Sequence, residues 1–509
     1  MSEQTLVITN ANVITMWAEH PRARQVVVRG DRIAEVGDAP PPSGATVLDL
    51  RGRTLLPGFI DSHVHLVGLG LATQAADLAG APSLADALDR IRARATVTPP
   101  GTVVRAPRWD ESTWPEQRPL TRTDLDRAAP DQAVVAARVC GHVVVVNSRA
   151  LEAVRERSGL DDAALAAAGA DIETGTLPRG TSRYARDLAE PTDRERLDAL
   201  ADACRQALAV GVTMVHDLSD DALLYAALNE SGRLSLRAYV ARHPGADGAI
   251  PPPLPDAALG ERLRTGPVKV FADGSLGART AALHEPYDDR PDLTGTLYTE
   301  PEALAGLIAA AHRAGRQVAC HAIGDRGIDT AVTAFETVLR DDPRKGHRHR
   351  IEHVEMPSLD AIVRMRALGL IASAQPNFMG RWGRRGGLYE ARVGSRTAAM
   401  NPFRTMSEAG LIITFGSDGM PMDPLFGVWS AVTHPVERER LSPEEALWCA
   451  TSGGAVAAFA EHECGRIAPL CRADFVVLAA DPAAVEPEAI KDVPVVATLV
   501  DGEIAYGGL

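Results

Sequence analysis

The feature that most restricts the fold is a series of eight short apolar runs along the middle of the chain, with helical stretches between several of them. Residues 301–315, for example, carry apolar residues at helical spacing and stop at Gly315. Repeated strand–helix units form parallel sheets, and eight of them predict a closed (β/α)₈ TIM barrel of the α/β class. The predicted strands span residues 55–65, 213–218, 236–242, 268–274, 317–323, 350–355, 370–377 and 411–418.

Both ends of the chain have a different residue pattern from the middle. Residues 1–56 and 466–509 contain short β-type runs punctuated by Gly, Asn and Asp, without a helical period. We therefore expect one small β-sandwich domain built from both termini, with the barrel over residues 57–465 inserted between them.

The first connection of the barrel is far too long for an ordinary βα loop. About 140 residues separate the first predicted strand from the second, and they contain helical and strand-like runs of their own. We expect most of residues 66–195 to form an inserted lid subdomain over the mouth of the barrel.

Composition and charge limit the classes of partner and compartment. The formal net charge of −14 argues against a nucleic-acid-binding surface and against anionic membranes. The N-terminal run MSEQTLVITNANVITM lacks the basic region of a signal peptide. Six scattered cysteines without a CxxC pair favour a reduced, cytoplasmic protein. The expected partner is a small-molecule substrate, and a homodimer is left open as the assembly.

Metal-binding side chains recur near the C-terminal ends of the predicted strands, where active sites of such barrels are built. A lone HxH pair is weak evidence, because a histidine at a strand end is usually a packing residue. Five strand ends with such residues, in order, predict a metal site, and imidazole with carboxylate favours Zn²⁺. The predicted ligands are His63, His65, Lys269, His321, His353 and Asp418.

The motifs around these residues resemble amidohydrolase family 3 of the amidohydrolase superfamily, which includes N-substituted formamide deformylases and exoenzyme regulatory proteins. They read GFIDSHVHL, VKVFADGSLGARTAAL, CHAIGDRGIDTA, RIEHVE and FGSDGMPMDPLFGVW, and the resemblance runs over nearly the whole chain. It implies a barrel, a sandwich from both termini, and one or two divalent ions, usually zinc. It also implies that Lys269 can be an N6-carboxylysine whose carbamate bridges two ions. The alternative is an ordinary lysine paired with Asp273 or another carboxylate.

The predicted reaction is hydrolysis of a C–N bond in an amide, N-substituted formamide, N-acyl or cyclic amide substrate, with Asp418 as the catalytic acid and base. One alternative is a mononuclear deaminase of the same superfamily. It is disfavoured because HAIGD offers Asp325 where such enzymes carry a glutamate. The other is a non-catalytic binding or regulatory protein on the same fold. The candidate substrate-binding residues are Trp109, Arg138, His142, Asp273, Ser275 and Gln375.

Overall fold

The computed structural model describes residues 5–38, 44–99, 101–139, 142–178 and 180–509. They form two compact units, Met1–Leu66 with Ala201–Leu509, and Val67–Leu200. Across the described ranges, none of the helices combines the length and apolar character needed to cross a lipid bilayer. Five cysteines are buried and unbridged, and Cys140 lies outside the described residues.

The N-terminal strands belong to two small sheets. The strands are β1 (Thr5–Thr9), β2 (Asn12–Ile14), β3 (Arg22–Ala23), β4 (Gln25–Arg29), β5 (Arg32–Gly37), β6 (Thr46–Asp49) and β7 (Thr54–Pro57). One sheet has the order β5–β4–β1–β6, and β7, β2 and β3 are neighbours in the other.

The barrel begins with β8 (Phe59–Val64), directly after β7. The single strand predicted over 55–65 is therefore wrong in its bounds, because this run is two strands that serve different sheets. Gly58 separates them at a close approach, since a Cβ there would lie 2.1 Å from the Thr213 hydroxyl oxygen. This one apolar run thus contributes β7 to the sandwich and β8 to the barrel.

The second unit has its own sheet and cores. The elements of this stretch are α1 (Leu66–Thr73), α2 (Leu84–Val97), β9 (Val104–Trp109), α3 (Arg122–Ala128), β10 (Val134–Arg138), β11 (Val144–Val146), α4 (Ser148–Ser158), α5 (Asp162–Ala167), β12 (Thr176–Leu177), α6 (Ser182–Ala189) and α7 (Asp193–Ala209). The sheet order is β12–β11–β10–β9, with β9 and β10 parallel and the other pairs antiparallel. The predicted large insertion after the first barrel strand is confirmed.

The remaining barrel strands follow with helices between them. They are β13 (Val212–Asp217), α8 (Ala222–Glu230), β14 (Arg237–Arg242), β15 (Leu263–Phe271), α9 (Pro301–Arg313), β16 (Val318–Ala322), α10 (Asp325–Asp341), β17 (Arg350–His353), α11 (Leu359–Leu368), β18 (Ile371–Ala374), α12 (Pro376–Trp382), α13 (Leu388–Val393), α14 (Phe403–Glu408), β19 (Ile412–Phe415), α15 (Pro424–Val432), α16 (Pro443–Cys449) and α17 (Ser452–Ala457). Short 3₁₀ turns occur at Glu111–Thr113, Asp256–Ala258, Gly394–Ala399, Glu437–Glu439 and Pro487–Asp492.

The eight parallel strands stand in chain order, from β8 through β13 to β19, which confirms the predicted barrel. The sheet is nearly closed, because the Asp418 N–H donates to the His63 carbonyl at 2.7 Å beside β8 and β19. Gly416 allows this approach, since a Cβ there would lie 2.4 Å from the His63 backbone nitrogen. Closure brings the two ends of the strand series together at the same rim.

The C-terminal strands β20 (Phe475–Leu478), β21 (Val495–Val500) and β22 (Glu503–Gly507) complete the six-stranded sheet β22–β21–β20–β7–β2–β3. Apolar residues of this sheet and of the N-terminal sheet share one buried cluster, which includes Ile8, Val26, Leu55, Phe475 and Leu499. The predicted β-sandwich from both termini is confirmed by this shared core.

Candidate metal centre

A cavity of about 350 Å³ lies at the C-terminal ends of the barrel strands. All six predicted ligands line it, together with Ser275 from the loop after β15. The positions agree with the rule that barrel active sites form at this face. The predicted ligands that line the cavity are His63, His65, Lys269, His321, His353 and Asp418.

Three of these side chains form a compact group. The Nε2 of His65 lies 3.3 Å from Asp418 Oδ1, and the Nε2 of His63 lies 4.0 Å from the same oxygen. One donor atom from each residue falls within 4.8 Å of the others, a spacing that fits a single metal ion. His321 and His353 lie beside this group, with ring centroids 4.4 Å apart, and the His353 ring is 4.7 Å from that of His63.

The orientation of His63 is set by two charged residues inside the barrel. Its Nδ1 donates to Glu352 Oε2 at 2.7 Å, and Glu352 is itself held by the guanidinium of Arg350. All three side chains are buried. Burial would raise the pKa of Glu352, but the charge of Arg350 and the hydrogen bonds with His63 and Arg350 together outweigh it and hold that pKa well below its usual value. The ionised carboxylate therefore keeps the proton on Nδ1 and leaves the Nε2 lone pair free.

Two other imidazoles are oriented in the same manner. His321 Nε2 lies 3.1 Å from the carbonyl of Gly274, which can only accept, so Nε2 carries the proton and Nδ1 offers a lone pair. His65 Nδ1 lies 2.9 Å from the hydroxyl of Ser219. Asp217, buried below, accepts from the Ser219 backbone N–H at 2.9 Å and fixes this loop.

Burial keeps the four histidines neutral. It lowers the pKa of His65 to about 4 and that of His321 to about 3, and the positive charge of Lys269 adds to the effect. The pKa values of His63 and His353 are lowered well below the usual range, again chiefly by burial. Neutral imidazoles have the free lone pairs that metal coordination requires.

Lys269 is buried, and its Nζ has no hydrogen-bond partner among the described residues. Burial lowers its pKa to about 8. The alternative pairing with Asp273 does not form, because that carboxylate accepts the backbone N–H groups of Ala282, Ile323 and Gly324 at 2.9–3.0 Å. A buried amine without a hydrogen-bond partner is costly in a folded protein. The contact of Lys269 Nζ with the Phe271 ring, 5.1 Å from the ring centroid, does not replace such a partner.

Two of the predicted ligands have backbone conformations that L-residues seldom adopt. His353, the last residue of β17, has φ 74°, and Asp418 has φ 49°. Such strain costs energy and is concentrated at functional sites. Burial also raises the pKa of the Asp418 carboxyl to about 7, against the lowering effect of Lys269.

Beyond the candidate ligands, the cavity has an apolar wall with one acidic group. Glu355 is buried, bonds to the side chain of Tyr389, and leaves its Oε2 without a hydrogen-bond partner in the described part of the chain. Burial raises its pKa to about 8, although the Tyr389 hydrogen bond opposes this shift. The apolar members of the wall include Phe378 and Trp382.

The predicted substrate contacts have different locations. Ser275 lines the cavity, whereas Asp273 and Gln375 are buried and are not among its lining residues. Asp273 stands beyond β15, which starts at Leu263 and ends at Phe271 instead of spanning 268–274. Every second residue of this strand faces the same way, which brings Lys269 and Phe271 to the cavity, but the strand ends before Asp273.

The other three candidates belong to the unit Val67–Leu200. Trp109 is buried in the core of that unit, and its indole N–H donates to the Ala136 carbonyl at 3.2 Å. Arg138 binds the Glu111 carboxylate through two nitrogens, and His142 is exposed. Their substrate role stays a prediction.

Sequence reasoning missed Glu352, Arg350 and Glu355, although all three stand in or beside the motif RIEHVE. One signal was present: two charged residues at i and i+2 in a strand of a parallel barrel cannot both face the apolar helix layer. Arg350 and Glu352 therefore had to be an interior pair. No comparable periodicity marks Glu355, which follows the end of β17.

Comparison with known proteins gives consistent matches. A model of the amidohydrolase family matches residues 46–506. The YtcJ protein of Bacillus subtilis (strain 168) is 29% identical over 486 residues, covering 90% of both chains. The N-substituted formamide deformylase of Arthrobacter pascens is 28% identical and covers 98% of each. The crystal structure of an uncharacterized metal-dependent hydrolase from Pyrococcus furiosus is similar with a TM-score of 0.76 at 29% identity, over 94% of this chain and all of that one.

Proposed function

This chain belongs to the amidohydrolase family, and from that premise we propose that it hydrolyses a C–N bond in an amide, N-substituted formamide, N-acyl or cyclic amide substrate. The observation that carries the proposal is the cavity into which four neutral imidazoles, one carboxylate and an unpaired buried lysine converge. Deformylation of N-substituted formamides, the activity named for the Arthrobacter relative, is one candidate within this class.

The side chains of the cavity fit a divalent ion. Lys269 Nζ is buried without a hydrogen-bond partner among the described residues, which leaves a polar group for a ligand to satisfy. The His353 ring adjoins those of His63 and His321 and interacts with the Gln375 side chain. His63, His65 and Asp418 already stand at metal-binding distance from one another. Imidazole and carboxylate donors favour zinc among the common biological ions.

We assign His63, His65 and Asp418 to one ion, because their donor atoms form the compact group. His321 and His353, with adjoining rings, would hold a second ion. Carboxylation of Lys269 would form a bond between Nζ and the carbon of CO₂. Starting from the ammonium, two protons would leave for solvent, one to free the amine and one as the new bond forms. The carbamate would replace an ammonium that has no hydrogen-bond partner among the described residues with an anion able to hold both ions.

Asp418 would carry the proton in hydrolysis. A divalent ion at this centre supplies Lewis acidity, which polarises the amide carbonyl and lowers the pKa of a water molecule. The Asp418 carboxylate would accept the proton of the attacking water and deliver it to the leaving nitrogen as the C–N bond breaks. Glu352 holds His63 through Nδ1, so that His63 keeps its position beside Asp418.

Two observations favour amide hydrolysis over the alternatives. A deaminase of this superfamily would need an acid after the fifth-strand histidine, but Asp325 begins α10 and accepts the His284 N–H at 2.9 Å, and it is not among the cavity-lining residues. A non-catalytic protein would have no evident reason to bring four histidines, Lys269 and Asp418 together at one cavity.

Metal analysis of the purified protein, followed by a screen of N-substituted amides, tests the proposal. We expect one to two equivalents of a divalent ion, and release of amine and acid from at least one amide class. Well-folded protein that is active without metal would contradict the assigned centre. Metal-loaded protein that releases ammonia from aminated heterocycles but hydrolyses no amide would favour the deaminase.

A further inference from the structure

The acidic group on the cavity wall has no role in the hydrolysis described above. The wall around it is apolar and aromatic, formed by Phe378, Trp382, Leu388, Tyr389 and Met420. A buried carboxyl on such a surface is unusual because its burial costs free energy. An apolar wall would bind a hydrophobic group of a ligand equally well without the carboxyl.

The contacts of Glu355 leave one oxygen for a ligand. The hydrogen bond with the Tyr389 side chain orients the carboxyl, while Oε2 is buried and unpartnered within the described ranges. Glu355 forms no ion pair with any of the described residues. Among the described residues that line the cavity, Lys269 is the only lysine or arginine. An unsatisfied buried carboxyl costs free energy, so its retention in the cavity points to a donor that arrives with the substrate.

We propose that Glu355 determines specificity by binding a cationic amino group carried on the hydrophobic part of the substrate. This inference rests on the proposed function and narrows its substrate class to amides whose apolar substituent ends in an ammonium. The charge of the ammonium would offset the desolvation of the carboxylate. The aromatic rings of Trp382 and Tyr389 line the same cavity, and such rings attract cations.

Paired substrates test this role. The pairs are N-(ω-aminoalkyl)formamides with two to six methylenes and the N-alkylformamides in which a methyl group replaces the ammonium. We expect kcat/KM to favour the amino member by about 10- to 100-fold at the best chain length, as a charge-assisted hydrogen bond predicts. The Glu355→Gln protein should lose this preference, mainly through KM. Glu300→Gln, an exposed carboxylate before α9, should retain it.

Further measurements separate specificity from structure. Tyr389→Phe should reduce the preference partially, because it frees the carboxyl without removing it. Metal content and unfolding midpoint of each variant report damage to the fold. Equal rates for both members of every pair, or a preference for ω-hydroxyalkyl formamides over the amino series, would overturn the role of Glu355.

Failure of the proposed function gives a different pattern. If metal-loaded protein hydrolyses none of the formamides, binding of the same pairs is measured by calorimetry and by the change in tryptophan fluorescence that the Trp382→Phe protein lacks. Tighter binding of the amino member that is lost in Glu355→Gln would support the site without the reaction. Equal binding by both members would reject the site as well.

Discussion

At the scale of single residues, the centre depends on protonation states that the surrounding protein sets. His63 is neutral because it is buried, and the position of its proton is set by Glu352. Asp418 is a carboxyl at the rim with a strained backbone, close enough to two imidazoles to share an ion. His63 would therefore only hold the ion, whereas Asp418 would both hold the ion and move a proton.

Replacing Asp418 with Asn tests the proton transfer. An amide keeps an oxygen for coordination but cannot accept and return a proton, so kcat should fall by about 10²–10⁴-fold with a much smaller change in KM. Steady-state kinetics with metal analysis measure both effects. His321→Ala is the contrast, because loss of a ligand should reduce metal content as well. Near-normal kcat in metal-bound Asp418→Asn would assign the proton transfer to another group.

Replacing Lys269 with Ala tests the carbamate. Metal affinity and activity should each fall by more than the roughly 10–100-fold that is typical of losing an outer-shell partner, because the change would remove a direct ligand. Added short-chain carboxylic acids with metal should restore part of both, since they supply the missing carboxylate. Lys345→Ala, an exposed lysine, is the matched control. A Lys269→Ala protein with full metal content would remove the bridge from the centre.

At the scale of elements, a charged cluster joins the barrel to the sandwich. Arg237 of β14 binds both Asp474, which precedes β20, and Asp501 in the turn between β21 and β22. Arg262 also donates to Asp501, at 2.8 Å. The cluster is largely buried, so it anchors the C-terminal hairpin to the barrel more effectively than a surface ion pair would.

Asp501 should make stability depend on pH. Burial acts to raise its pKa, but Arg237 and Arg262 outweigh it and hold the pKa below its usual value. A lowered folded pKa contributes stability above the unfolded pKa of about 4, and this contribution is lost as pH falls through the folded value. Asp501→Asn should lower the free energy of unfolding by about 1–3 kcal/mol at pH 7.

Urea unfolding at pH 7, 5 and 3.5 measures this effect. The difference between the two proteins should shrink only at the lowest pH, because the carboxylate stays ionised at the other two. Asp492→Asn removes an exposed partner of Lys491 and should change stability by less than about 1 kcal/mol. A difference for Asp501→Asn that is constant across the series would contradict the electrostatic origin.

At the scale of the whole molecule, the candidate ligands come from strands all around the barrel: β8, β15, β16 and β17, with Asp418 after β19. An ion that binds them links both ends of the strand series, where the sheet is nearly closed. Metal binding should therefore stabilise the folded protein globally, because the unfolded chain has no preformed site.

Removal of the metal should lower the thermal midpoint. A ligand present at 1,000 times its Kd contributes about 4 kcal/mol, which corresponds to a shift of several degrees. Thermal scans with and without a chelator measure the shift, and re-addition of zinc should reverse it. His321→Ala should respond less to the chelator. An identical midpoint for metal-loaded and chelated wild-type protein would show that the ion is not part of the fold.

The sequence alone was sufficient for the architecture and for the set of side chains that converge. Strand–helix repeats impose the barrel order, and parallel strands bring their C-terminal ends to one rim. For this reason His63, His321 and Asp418, which are distant along the chain, could be expected in one cavity. The short β-type runs at both termini likewise predict a sandwich, because each of the two sheets that they form must bury one apolar face against the other.

Only the tertiary structure determines the backbone direction and the side-chain positions in the residues that follow the strand ends. Inside a strand, the alternation of side chains predicts which residues point the same way. This rule no longer applies after Phe271, where the strand ends and the Asp273 carboxylate accepts hydrogen bonds from three backbone N–H groups. The positive φ of His353 changes the direction of the backbone at the end of the strand, and Glu355 follows two residues later. Local periodicity carries no information on such turns, because their conformations are set by packing against segments far away in sequence.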